Sequence, residues 1–134
     1  MVKDSNGRDL FCVGGGRDST ANFPDFFEDL VLPTDCYDFE NNVWVVKDNI
    51  PTGRAGASYG TTCDNKLMIA GGEIKGSGNS EPALATVEVF DGNSWGSLPS
   101  LETGRHGSGI GFDCTGVPCG EAYIASGNPT RGGG

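Results

Sequence analysis

Leu67-Met68-Ile69-Ala70-Gly71-Gly72 restates an earlier stretch, Leu10-Phe11-Cys12-Val13-Gly14-Gly15, at a step of 57 residues, and a weaker copy, Ala122-Tyr123-Ile124-Ala125-Ser126-Gly127, follows 55 residues later. Two further landmarks recur in the same order. Tyr37-Asp38-Phe39 leading to Trp44 matches Phe90-Asp91-Gly92 leading to Trp95, and Thr52-Gly53-Arg54-Ala55-Gly56 matches Thr103-Gly104-Arg105-His106-Gly107, with the arginine ten residues after the tryptophan each time. Ordered self-similarity at such a period marks a repeat architecture, so the repeat governs how every other residue is read.

Between the landmarks lie short runs rich in β-branched and aromatic residues, Asn42-Val43-Trp44-Val45-Val46, Lys66-Leu67-Met68-Ile69-Ala70 and Thr86-Val87-Glu88-Val89-Phe90, bounded by Gly, Asn, Asp and Pro. These read as strands. The nearest helical candidate, Phe23 to Leu32, sits between Pro24 and Pro33 and has room for one or two turns. The 23 glycines among 134 residues also favour a turn-dense β chain over a helical one. Each full repeat then holds four strands: one after Thr-Gly-Arg, one ending in the Gly pair, one ending in aromatic-Asp, and one carrying the Trp. Four short antiparallel strands make one propeller blade.

In this order of Gly-Gly, aromatic-Asp, Trp and Arg-x-Gly, from Arg8 to Gly127, the chain resembles the kelch-repeat family. The resemblance implies an all-β, kelch-type β-propeller segment with four-stranded antiparallel blades. Gly14, Gly15, Tyr37, Trp44, Gly71, Gly72, Phe90 and Trp95 are its structural motif. Residues 8–65 carry the first repeat from its second strand onward plus the inner strand of the next. Residues 66–120 carry the second repeat, and 121–134 the start of a third that is cut short. Propellers have four to eight blades, so about two blades imply a partial ring completed by further blades, in the parent chain or in other copies. Small residues in Ala55–Gly60 and Gly107–Gly111 suit inner strands that crowd an axis, whereas Trp44 and Trp95, on outer strands, are expected to pack on the adjacent blade.

Charge narrows the partners. Eighteen acidic against nine basic residues give a net charge of −9, the wrong sign for phosphate backbones or anionic lipid, so neither nucleic acid nor membrane is expected. No apolar run approaches a bilayer span, no signal-peptide core follows Met1, and the chain reads as soluble with its compartment unassigned. Five cysteines leave at least one unpaired within the chain. Cys114 and Cys119 flank a turn-like Thr115-Gly116-Val117-Pro118 and are the expected disulfide in an oxidising compartment, staying reduced in the cytosol.

Enzyme motifs fail on context. Gly56-Ala57-Ser58-Tyr59-Gly60 fits Gly-x-Ser-x-Gly, with Asp91 and His106 following, but it falls in an inner strand with no helix after it. A single histidine and no Cys-x-x-Cys leave no metal site, and no cofactor is expected. Gly14-Gly15-Gly16-Arg17 and Gly107-Ser108-Gly109 lack the Lys-Ser/Thr of a phosphate loop. Family resemblance instead points to Arg54 and Arg105, with His106 beside them, as ligand-binding residues facing a peptide or protein with acidic groups. The competing reading has both arginines bonding carbonyls or an acid inside the blade. The segments Gly16 to Asp35, with Phe23, Phe26, Phe27, Leu30 and Leu32, and Glu73 to Ala85, with Gly76, Ser77, Gly78 and Asn79, read as loops. The first packs over its own blade or binds a partner, and the second is a flexible connection. The function expected is therefore a non-catalytic, peptide-binding scaffold. The alternatives are a fragment of a kelch-fold enzyme, such as a galactose-oxidase-like oxidase or a sugar epimerase with its catalytic residues on other blades, and a spacer in an extracellular protein.

Overall fold

A computed structural model describes residues 1–17, 30–74, 82–116 and 120–130. The described residues contain ten strands and no helix: β1 (Val2–Lys3), β2 (Asp9–Gly14), β3 (Thr34–Asp38), β4 (Val43–Lys47), β5 (Ser58–Thr61), β6 (Leu67–Ala70), β7 (Val87–Phe90), β8 (Trp95–Leu98), β9 (Gly109–Asp113) and β10 (Glu121–Ala125). They form two four-stranded antiparallel sheets, β1-β2-β3-β4 and β5-β6-β7-β8, and a two-stranded sheet of β9 and β10. This is an all-β, propeller-like architecture. No helix of the described residues is long and apolar enough to cross a membrane.

The landmarks explain how each sheet turns. Asp38 accepts hydrogen bonds from the N–H groups of Glu40 and Asn41, and Asp91 accepts from those of Asn93 and Ser94, so the aromatic-Asp pair closes the third strand and starts the turn into the fourth. The glycine pair ends the second strand. Gly71 and Gly72 have φ of +67° and +100°, and Gly72 donates its N–H to the carbonyl of Arg105. A side chain at Gly71 would collide with that same carbonyl, which is why the position is held small.

In the first sheet the glycine pair is not Gly14-Gly15. Gly15 and Gly16 carry the positive φ values, +78° and +104°, and Gly16 donates to the carbonyl of Arg54 as Gly72 does to that of Arg105. Gly14 is the last strand residue, paired with Thr34. The run Gly14-Gly15-Gly16 hides a one-residue slip, and the step between equivalent residues of the second strands β2 and β6 is 56 residues. A slip of one exchanges the two faces of a strand. Phe11 and Val13, rather than Leu10 and Cys12, thus stand where Leu67 and Ile69 stand in the second sheet. The hydrogen-bonded sheets also run 2–47, 58–98 and 109–125, so β1 precedes residue 8 and β5 belongs with β6.

The sheets stack face to face. One face of the first sheet, with Val2, Leu10, Cys12 and Cys36, packs against Leu67, Ile69 and Phe90 of the second. The opposite face of the second sheet, with Met68, Ala70 and Val87, meets Ile110, Phe112 and Ile124 of the third. Trp95 lies in the first of these seams, its ring 5.2 Å from Phe90 and its indole N–H donated to Thr34 Oγ1 at 3.1 Å and to the Asp48 carbonyl at 3.3 Å. Trp44 departs from expectation. It is 58% exposed, because no described residue covers the face of the first sheet on which it lies, and its ring contacts are Phe11 and Tyr37 in its own sheet.

Two disulfides close the chain, neither of them Cys114–Cys119. Cys12 bonds Cys36 directly across β2 and β3, and Cys63 bonds Cys114, joining the segments that leave the neighbouring inner strands β5 and β9. Adjacent inner strands bring those two Cα atoms to 5.5 Å although 51 residues separate them, a proximity created by sheet stacking that local sequence cannot reveal. Cys119, Phe23, Phe26, Phe27 and the Gly76–Asn79 loop tip lie outside the described residues.

Candidate functional site at the ends of the second strands

Arg54 enters from the connection between the first two sheets and is entirely enclosed. Its Nε donates to the Thr52 carbonyl, Nη1 to the carbonyls of Gly71 and Thr86 at 2.9 Å each, and Nη2 to Glu88 at 2.5 Å. Thr52 Oγ1 donates to the other Glu88 oxygen. Burial pulls the guanidinium pKa below its ordinary value, and the Glu88 carboxylate pushes back. The expectation that Arg54 faces a ligand is therefore corrected: the side chain is fully buried with four of its N–H donors bonded inside the blade, and its role is to tie the connection to β6 and β7.

Arg105 repeats one of those bonds. Its Nη1 donates to the Ser126 carbonyl, Ser126 being the counterpart of Gly71, at 2.6 Å. No described strand lies beside β10 to supply the acid that Glu88 supplies to Arg54, so the Arg105 side chain keeps partial exposure. Ser58, the would-be nucleophile, is buried in β5 with its hydroxyl bonded to the Ser108 carbonyl and hydroxyl, linking two inner strands.

The residue that follows each glycine pair was not read as a site residue from the sequence, and in two of the three sheets it reaches the surface at this end. These residues are Arg17, Glu73 and Asn128, equivalent because each directly follows a positive-φ pair; Glu73 bridges Ala55 and Asn128 bridges His106, whereas Arg17 bridges Leu30. Arg17 Nη2 lies 3.7 Å from Glu73 Oε1, across the first seam. Glu73 in turn stands beside Gly56, where a side chain would meet Glu73 Oε1 at 3.8 Å and the His106 Cβ at 3.7 Å. His106 Nε2 contacts the Thr130 carbonyl at 2.8 Å and is partly exposed. Arg17, His106 and Asn128 thus reach the surface as a polar rim at this end of the three sheets, while Glu73, 4% exposed, lies buried among them.

Next to the rim opens an apolar groove of about 490 Å³ between the first two inner strands, lined by Phe11, Val13, Gly15, Tyr59 and Leu67 among others. Burial raises the Tyr59 hydroxyl pKa against the pull of Arg54, keeping it a neutral donor. The only signal in the sequence for the rim is positional: it lies one residue beyond each Gly pair, a place readable once the pairs are in register. Among the described residues no cluster of three or more His, Cys, Asp or Glu side chains has the arrangement of a metal site.

The chain matches no protein-family model and no curated protein. Among solved structures it is similar to that of YjhT, with a TM-score of 0.59 at 19% identity over 81% of this chain. It spans 39% of the length of that protein. The likeness is one of fold.

Proposed function

We propose that the chain is part of a kelch-type propeller acting as a non-catalytic scaffold that binds a peptide or protein segment at its rim. One observation carries the reading. Residues that the fold needs repeat from blade to blade: Asp38 and Asp91 at the turns, Arg54 and Arg105 on the glycine-pair carbonyls. At the rim an equivalent backbone position holds Arg17, then Glu73, then Asn128. Backbone geometry does not require the exposed copies, Arg17 and Asn128, to differ, and recognition of an asymmetric ligand does.

Arg17 supplies a cation at this end, its side chain 37% exposed beside Glu73, and a guanidinium suits a ligand carboxylate. His106 and Asn128 add hydrogen-bonding groups, and the groove beside Tyr59 takes an apolar side chain. The same reading assigns the protein to an oxidising compartment, where paired cysteines persist. The test is retention of immobilised Asp/Glu-rich against Lys-rich peptides. Acidic peptides are expected to bind, and Arg17→Ala to weaken them by about tenfold or more, the loss of one charge-assisted bond, with the melting curve recorded alongside because buried Glu73 loses its Arg17 contact. Equal retention of both peptide sets, or binding indifferent to Arg17→Ala, refutes the proposal.

A further inference from the structure

The two disulfides differ in what they join and in how far solvent reaches them. Cys12 and Cys36 are 9% and 0% exposed and bridge directly opposed residues of β2 and β3, strands that a ladder of five residue pairs already holds together. Cys63 and Cys114 lie past the ends of β5 and β9, at the end of the sheets opposite the rim, and their bond links the second sheet covalently to the third. Cys114 is exposed. Cys63 is half-buried, and the backbone at Gly120 lies on its sulfur, where a side chain would overlap it.

We propose that Cys114 is a thiol-exchange site and that its bond to Cys63 is a latch that a small thiol opens and closes. The attacking thiolate reaches the open sulfur, Cys114 Sγ, and forms a mixed disulfide with it as the bond to Cys63 breaks. Cys63 leaves with the electron pair and takes a proton from water. A second thiolate attacks the small-molecule sulfur of the mixed disulfide and releases Cys114, so that two small thiols are oxidised to their disulfide and the protein bond is reduced. When thiol is scarce, the Cys63 thiolate attacks Cys114 Sγ in the mixed disulfide, expels the small thiol and closes the latch. Opening leaves the sheets stacked. Met68, Ala70 and Val87 still pack on Ile110, Phe112 and Ile124, and Ser58 stays bonded to Ser108 toward the rim. The latch therefore loosens one end of β9 without unfolding the chain.

The surroundings also select the thiol. Asp64 and Asp113 adjoin the two cysteines in sequence, Glu121 pairs with Asp113 across the third sheet, and the Lys66 ammonium is engaged by Asp64. Bonds from Thr115 hold the Asp113 carboxyl below its ordinary pKa, and Lys66 and Thr62 do so for Asp64, which keeps both ionised at neutral pH. An anionic thiolate is repelled there and a zwitterionic one is not, so the reagent class that fits is a cationic aminothiol. The inference concerns the end away from the rim and stands apart from ligand binding there.

The test uses folded chain whose remaining cysteine, Cys119, has been alkylated, or replaced as Cys119→Ser. It is incubated with cysteamine, 2-mercaptoethanol or glutathione at equal thiolate concentration, quenched with N-ethylmaleimide and mapped by mass spectrometry. The adduct should sit on Cys114 and the maleimide on Cys63, with Cys12–Cys36 intact. Cysteamine should react about threefold or more faster than glutathione in low salt, with the gap closing near about 1 M salt. Hydrogen exchange should quicken in β9 and not in β2 or β3, and removal of thiol should restore it. An adduct on Cys63, opening of Cys12–Cys36 first or of both bonds together, or glutathione as fast as cysteamine overturns the proposal. So does a chain that reacts only where circular dichroism shows it unfolded.

Discussion

Replacing Arg54 separates a structural arginine from a ligand-binding one. Arg54→Ala removes four hydrogen bonds and leaves the Glu88 carboxylate, 4% exposed, with Thr52 as its remaining partner. Breaking a buried pair by deleting one partner costs about 3–5 kcal/mol, because the other charge stays desolvated. For a domain of this size each kcal/mol moves the melting temperature by roughly 3–5 °C, so a fall of about 10–20 °C is expected in calorimetry or circular dichroism. The double substitution Arg54→Met with Glu88→Leu removes both charges and should recover most of that loss. Arg105→Ala, by contrast, gives up a single bond at a partly exposed site and should cost about 1 kcal/mol. If Arg54→Ala melts within a few degrees of the parent, or if the double variant is no better than the single one, the enclosed ion pair does not hold the connection to the second blade as argued.

The tryptophans should part company: Trp95→Ala should destabilise by about 3–5 kcal/mol by opening the seam, and Trp44→Ala should change the unfolding midpoint in urea by little. Reduction should cost stability in proportion to loop length, about 4 kcal/mol for Cys63–Cys114 and about 3.5 for Cys12–Cys36 from chain entropy, checked by melting single-disulfide serine variants. Acid should unfold the chain through its turns. At Asp4 burial pushes the pKa up, but the Arg8 and Asn6 N–H groups and the Arg8 guanidinium hold it down overall. Asp38 is lowered by the Asn41 side chain and backbone N–H, against burial. With folded values below the unfolded one, near 3.9, this stability is complete above that pH and is lost as pH falls through the folded values. Melting temperature measured from pH 5 to 2 should therefore decline below about pH 4, and a flat profile there refutes the assignment.

The repeated features were readable in the sequence because each meets a local demand. Asp38 and Asp91 must cap a turn, and Arg54 and Arg105 must reach the carbonyl that a positive-φ residue leaves unpaired by strand. Four strands to a sheet followed from their spacing. What escaped depends on relations between sheets. Three consecutive glycines allow two registers, and only the φ values and the bond from Gly16 to Arg54 choose between them. That choice decides which face of β2 is covered. Whether a repeated arginine points inward or outward turns on an acid 34 residues away, Glu88, and a motif gives no warning of it. The rim has no motif at all, since its residues differ from blade to blade.

The Cys63–Cys114 bond also constrains the order in which the molecule can be made. Cys12 and Cys36 meet within one sheet and can be oxidised as soon as β2 and β3 pair. Cys63 and Cys114 meet only after two separate sheets have come together. Before that, Cys114 has a nearer thiol in Cys119, five residues along, and a short loop closes at lower entropic cost than one of 51 residues. Early in oxidation the statistically favoured linkage is thus a wrong one, and its conversion to the native bond requires thiol–disulfide exchange driven by docking. Trapping thiols at successive times should find the native Cys63–Cys114 linkage appearing last, as a chemical clock for the joining of the second and third sheets.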